Sequence, residues 1–305
     1  MVKNQARAMT YGIGAVLLWS TVATAFKLSL AEMTPAQLLL FASLASTVVL
    51  ALILGVQGKL SRLKGQFLSN PLVYVQSGLL NPFLYYLVLF AAYDMLPAQQ
   101  AQPLNYTWAI LLSLLAVPML GQKLRSWDVG AALLAYFGVV VIATGGDLMA
   151  LEFERPMGVA LALLSTLLWS LYWIVNTRDK GDPVISLLLS FLIGLPCILA
   201  VCAWRGELSL PSWQGLAGAT YVGLFEMGFT FVLWLKAMRT AEQTAPLTNL
   251  VFLGPFLSLF FISTFLGETI VPATFMGLAL IVCGLLVQQL GPKLIARLAP
   301  SRSAG

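Results

Sequence analysis

Histidine is absent from the 305 residues, and charge is scarce: Asp, Glu, Lys and Arg together make up 10% of the chain. Without His there is no Ser-His-Asp triad and no His-rich zinc site. No His-Glu-x-x-His sequence and no Walker Gly-rich Lys-Ser/Thr sequence occurs either, so metallopeptidase chemistry and nucleotide hydrolysis lack their usual motifs. A soluble domain carries about 25% charged residues, and a chain that is 59% hydrophobic and 10% charged is not one. Cysteine is sparse as well. Cys197, Cys202 and Cys283 all lie in apolar runs, where they read as small buried hydrophobes and not as disulfides or metal ligands. The sequence calls for no cofactor and no metal, and it reads as a non-enzyme.

What the chain has instead is apolar length. A helix needs about 20 apolar residues to cross a bilayer. Runs of that kind cover 9–31, 35–56, 72–93, 98–120, 127–144, 157–177, 184–204, 216–237, 244–266 and 272–290. The first is too long for the core of a cleaved signal peptide and reads as a transmembrane helix. Ten spans leave only short connections, so the functional residues belong inside the membrane part.

The basic residues order these spans. Lys3, Arg7, Lys59, Arg62, Lys64, Lys123, Arg125, Arg178, Lys180, Lys236, Arg239, Lys293, Arg297 and Arg302 fall in alternate connections, and only Lys27, Arg155 and Arg205 fall on the other side. Basic residues mark the cytoplasmic face, which places both termini in the cytoplasm and requires an even number of spans. The acidic connection with Asp147, Glu152 and Glu154 then faces outward. Because the basic residues are scattered between apolar runs, the net charge of +5 reflects orientation, and nucleic acid is not a partner.

The chain also repeats itself. Leu17-Leu18-Trp19-Ser20 recurs as Leu167-Leu168-Trp169-Ser170, and Leu120-Gly121-Gln122 recurs as Leu266-Gly267-Glu268. Ala91, Leu104, Leu111 and Gly138 likewise fall on Ala237, Leu250, Leu257 and Gly284. Each copy holds five spans, and since five is odd the second copy enters the membrane from the opposite side. The expected architecture is an all-α integral membrane protein with ten transmembrane helices in a 5+5 inverted repeat. Its divisions are a first repeat over 1–146, an outward-facing linker over 147–156, a second repeat over 157–290 and a cytoplasmic tail over 291–305. Inverted repeats are the logic of alternating access around a central site.

The five-helix unit with Leu-Gly-Glu before its last helix resembles the EamA repeat of the drug/metabolite transporter superfamily, over nearly the whole chain. Within it, Leu17 to Ser20, the stretch Asn81-Pro82-Phe83-Leu84-Tyr85-Tyr86 and the Gln-rich segment from Pro97 to Asn105 are most similar to the YddG-type aromatic amino-acid exporters of bacterial inner membranes. The resemblance implies ten helices, a central cavity and export of amino acids. The first repeat departs from the unit in carrying Gln122 where the second has Glu268.

Polar side chains inside spans point to candidate site residues. Glu226 is the deeply placed acid, read either as a protonatable coupling group or ammonium partner, or as a structural carboxyl bonded between helices. Asn81-Pro82 interrupts the third span, either to line a cavity or as a packing kink. At the repeat offset Asn81 falls on Met227, beside Glu226. Gln99, Gln102 and Tyr106 share one helical face of the fourth span, where Gln99 and Gln100 lie either on a hydrated route or at the outer interface. Asn105 adds an amide there, and Thr244, Pro246, Thr248, Asn249 and Pro255 are the matching irregularities of the ninth span.

Aromatic wall candidates are Trp19, Trp169, Tyr85, Tyr86, Trp108, Tyr172 and Trp173, whereas Trp127, Trp204 and Trp213 read as an interfacial belt. Lys27 either meets a substrate carboxylate or snorkels outward. The substrate-binding set is therefore Trp19, Asn81, Tyr85, Tyr86, Gln102, Asn105, Tyr106, Trp108, Trp169, Trp173, Glu226 and Asn249. The function expected is an inner-membrane exporter of aromatic and other neutral amino acids, with small-molecule substrates and the bilayer as partners. The expected form is a monomer, with a homo-oligomer as the alternative. Other readings are a drug, metabolite or nucleotide-sugar transporter of the same superfamily, an intramembrane enzyme, and a channel.

Overall fold

The computed structural model describes residues 3–123, 125–149, 155–243, 247 and 250–298, with the backbone alone over 292–298. Among the described residues it is helical and contains no strand. Nine helices among the described residues are long and apolar enough to cross a membrane. They are α1 (Gln5–Leu30), α2 (Pro35–Val56), α3 (Pro71–Met95), α4 (Ala98–Leu120), α5 (Ser126–Ala143), α6 (Pro156–Asn176), α7 (Pro183–Arg205), α8 (Trp213–Thr240) and, after a shorter apolar helix α9 (Gly254–Leu266), α10 (Pro272–Leu298).

Helix starts and stops follow local chemistry. Thr34 caps α2 by accepting from the Gln37 N–H at 3.2 Å, and the Gln37 side chain returns a bond to the Thr34 N–H at 3.1 Å. Asp182 caps α7, with Pro183 in the first turn. Gly121 and Gly267 end α4 and α9 at φ +67° and +66°. This left-handed stop is why glycine sits at the centre of both Leu-Gly-Gln/Glu copies.

The two-repeat organisation is visible in the packing. In α3 a π-helical turn spans Leu79–Leu84, with Asn81 at non-helical φ −142° and a cis bond to Pro82. In α8 a π-helical turn spans Gly223–Gly228. Each turn is backed by a glycine against the opposite half. A Cβ on Gly78 would lie 2.8 Å from the Ser190 carbonyl of α7, and one on Gly223 would collide with the Ala42 carbonyl of α2.

Helices α2 and α7 are joined at both ends. At one end Lys59 Nζ pairs with Asp182 Oδ2 at 2.6 Å, and Gln66 exchanges bonds with the Asp182 backbone at 2.9 and 3.1 Å. At the other, Thr34 Oγ1 donates to Glu207 Oε2 at 2.7 Å and Gln37 Nε2 donates to the Ser209 carbonyl at 3.2 Å. Helices α5 and α10 meet through small residues, since Cβ atoms on Gly138 and Gly277 would approach each other's carbonyls to 2.5 and 2.6 Å. Close backbone approach through small residues is how membrane helices gain packing when burial gives no hydrophobic drive.

Candidate functional site: a central aromatic cavity

A cavity of about 560 Å³ lies between the two halves, within the roughly 300–1,000 Å³ of ligand sites. Its wall is mainly aromatic. From α1 comes Trp19, from α3 Tyr85 and Tyr93, from α4 Tyr106 and Trp108, from α6 Trp169 and Trp173, and from α8 Phe231 and Trp234. Helical spacing explains the grouping: Trp169 and Trp173 are four apart, so both fall on one face of α6.

These rings pair across the repeat. Trp169 stacks on Tyr85 with centroids 4.5 Å apart and planes at 28°. Trp19 meets Phe231 edge-on at 5.5 Å. Trp19 and Trp169 are the two copies of the Leu-Leu-Trp-Ser motif, and Tyr85 and Phe231 stand at the repeat offset, so equivalent positions meet in both contacts, stacked in one and edge-on in the other. Trp169 and Phe231 then join the two pairs at 6.3 Å.

The polar groups of the wall are few. Glu226, on the π-helical turn of α8, is half-buried and accepts a hydrogen bond from the Tyr86 hydroxyl at 3.0 Å. Asn105 donates to Ser165 Oγ at 3.0 Å, and the Tyr85 hydroxyl donates to Asn105 Oδ1 at 3.4 Å. Ser258 donates to Gln102, and Gln288 of α10 donates to Ser113. Gln289 completes the amides of the wall.

Nine of the twelve expected residues thus line one cavity: Trp19, Tyr85, Gln102, Asn105, Tyr106, Trp108, Trp169, Trp173 and Glu226. Tyr86 is buried behind the wall, where it holds Glu226. Asn81 is 2% exposed, lies outside the wall, and has no hydrogen-bond partner for its Oδ1 among the described residues. Asn249, with Thr244, Pro246 and Thr248, lies outside the described residues.

Two side chains sit away from the cavity. Lys27 does not line the wall, and its Nζ donates to the Tyr93 and Leu96 carbonyls at 2.8 and 3.1 Å. These are orphan acceptors at the end of α3 that attract a cation. Gln99 is buried, and neither lines the wall nor sits at an exposed interface. Its side chain bonds the Thr269 carbonyl, the Val271 N–H and Thr274 Oγ1 at 3.0, 3.0 and 3.2 Å. Glu268 caps the same helix start, accepting from the Ala98 and Gln99 N–H groups at 2.9 and 3.2 Å. Phe231, Trp234, Tyr93 and Gln288 were missed by sequence reasoning. The signal for Phe231 was its repeat partner Tyr85.

The EamA-like transporter family model matches residues 6–144 and again residues 156–288, once for each half. The chain belongs to this family. Among relatives of this EamA-like chain is the aromatic amino acid exporter YddG of Ancylobacter novellus, 26% identical over 244 residues, 78% of this chain and 82% of that protein. Another is the uncharacterized transporter YoaV of Bacillus subtilis, 25% identical and covering 90% of this chain and 93% of its own. A protein crystal structure that is 23% identical, and covers 96% of this chain and 99% of its own, aligns with a TM-score of 0.62. The fold of the EamA-like chain is therefore shared along its full length. It is a multi-pass membrane transporter of the drug/metabolite superfamily.

Proposed function

We propose that this chain exports aromatic and other neutral amino acids from the bacterial cytoplasm across the inner membrane, by alternating access around the central cavity. The observation that carries the reading is the inverted pair of ring contacts, Trp19 on Phe231 and Trp169 on Tyr85, at the cavity wall beside Glu226. Flat apolar rings suit aromatic and aliphatic side chains, and Glu226 faces the ammonium. The relative from Ancylobacter novellus, named an aromatic amino acid exporter, supports the same cargo. Fourteen basic residues in alternate connections support ten spans with cytoplasmic termini, α9 with the residues before it being the ninth. The protein works as a monomer, since each chain has its own cavity.

Counterflow of labelled phenylalanine in proteoliposomes tests the reading. Saturable counterflow is expected, with Trp169→Ala raising the half-saturating concentration. Conductance without saturation, or no phenylalanine movement alongside transport of a nucleotide sugar, refutes it. Glu226 is the proposed coupling group, and Glu226→Gln is expected to abolish the response of transport to a pH gradient. An unchanged response removes that role.

A further inference from the structure

An amino acid carries two charges, but the cavity presents a counter-charge for only one of them. Among the described residues its wall holds one carboxyl, Glu226, and no Lys or Arg. The stretches 244–246 and 248–249, which precede the wall residues Val251 and Phe252 in the chain, contain no basic residue either. The nearby cations are committed elsewhere. Lys27 is spent on the Tyr93 and Leu96 carbonyls, and Arg155 donates to the Met95 carbonyl at 2.7 Å.

The amides offer neutral donors in place of a cation. Asn105 gives one N–H to Ser165, Gln102 accepts from Ser258 through its oxygen, and Gln288 gives one N–H to Ser113. A carboxylate placed here meets no cation among the described residues and stands near the carboxyl of Glu226, so its desolvation is offset by neutral donors alone. An ammonium meets the reverse. Glu226 is reached from the cavity, Tyr86 orients it, and the partly exposed rings of Trp19, Trp173 and Trp234 in the wall supply cation–π attraction.

We propose that the cavity recognises an aromatic primary amine through Glu226 and the ring wall, and that the ligand carboxylate contributes nothing to binding. Arylalkylamines and amino-acid amides are then ligands of this site, and deaminated aryl acids are not. The inference rests on the reading of the cavity as the transport site, and it names the class of molecule that site accepts.

Competition against labelled phenylalanine counterflow, with phenethylamine, phenylalaninamide and 3-phenylpropionate as unlabelled competitors, tests it. A polar site rejects an analogue lacking its bonded group by large factors, so the two amines are expected to inhibit within about threefold of phenylalanine and the acid to need at least about thirtyfold more. Glu226→Gln is expected to shrink that gap about tenfold.

Inhibition by phenylpropionate equal to that by phenethylamine overturns the proposal, and the wild-type ratio alone suffices if the variant does not fold. If phenylalanine shows no counterflow, the amino-acid reading fails on its own. Direct binding of labelled phenethylamine to the purified protein then decides the inference, with binding displaced by phenylalaninamide but not by phenylpropionate supporting it, and absence of binding overturning it.

Discussion

Replacing Asp182 removes two supports at once. Its Oδ1 accepts from the Val184 N–H at 3.0 Å and so caps α7, while its Oδ2 pairs with Lys59 at 2.6 Å. Loss of an N-cap costs about 1 kcal/mol, and loss of a partly exposed pair about 0.5–1 kcal/mol. Asp182→Ala is therefore expected to cost about 1.5–2 kcal/mol, or about 2–3 °C in Tm. Asp182→Asn keeps a capping oxygen and should cost only the pair, about 0.5–1 kcal/mol. Burial alone would raise the Asp182 carboxyl, but the Lys59 hydrogen bond, the Val184 N–H and the Lys59 charge outweigh it and hold the group below its ordinary value of 3.8. A carboxylate depressed in the folded state stabilises above its unfolded pKa, and this contribution is lost as pH falls through the folded value. Scanning fluorimetry in detergent should show the gap between wild type and Asp182→Asn at pH 7, closing as pH falls below about 4. A gap that stays unchanged however far below that the pH is taken, or an Asp182→Ala protein as stable as wild type at pH 7, would refute the reasoning.

Gly277→Val is expected to destabilise by about 2 kcal/mol or more, because its Cβ already falls 2.6 Å from the Gly138 carbonyl and the branched methyls have no space. Thermal unfolding in detergent checks it, and Gly130→Val, with nothing near its Cβ, is the control that should change little. Glu268→Ala uncaps the start of α4, and hydrogen exchange of the peptide covering 97–102 should quicken about three- to tenfold, as loss of about 1 kcal/mol of capping predicts. Unchanged exchange there would show that Gln99 alone holds the helix start.

Span lengths were legible because the bilayer imposes a run of fixed length and apolar content, which composition reports directly. The break in α3 was legible too, since Pro82 removes a donor and unsettles Asn81. Its twin in α8 was not, because no proline marks Gly223–Gly228 and a π-helical turn leaves no periodic signature. Glu226 stood out because an acid deep in a span is costly. Its partner Tyr86 was read as a wall residue, because which face of α3 meets the cavity depends on the π turn just before it. Contacts such as Lys59 with Asp182 and Glu268 with Ala98 join positions 123 and 170 residues apart. No local pattern reports such pairs, so the partners of Lys27 and Gln99 were not legible in the sequence.

The repeat makes the scaffold symmetric and leaves the chemistry lopsided. The π turns, the glycines behind them, the clamped α2–α7 pair and the ring contacts all come in pairs related by the repeat. At the same offset, however, Glu226 corresponds to Leu80, Asn81 to Met227 and Tyr86 to Val232. Two equal hydrophobic half-sites by themselves would accept a flat ligand in either of two orientations. A single carboxyl on one half removes that degeneracy, since only one orientation brings an amine to Glu226 while the ring stays between Trp19 and Trp169. On the proposed reading, Glu226→Leu removes the acid and should let a bound ring lie in either orientation, with amine selectivity lost. Tyr86→Phe keeps the acid and removes its hydroxyl partner, so a partial loss of amine selectivity is expected, and selectivity equal to wild type would show that Tyr86 does not aim the carboxyl.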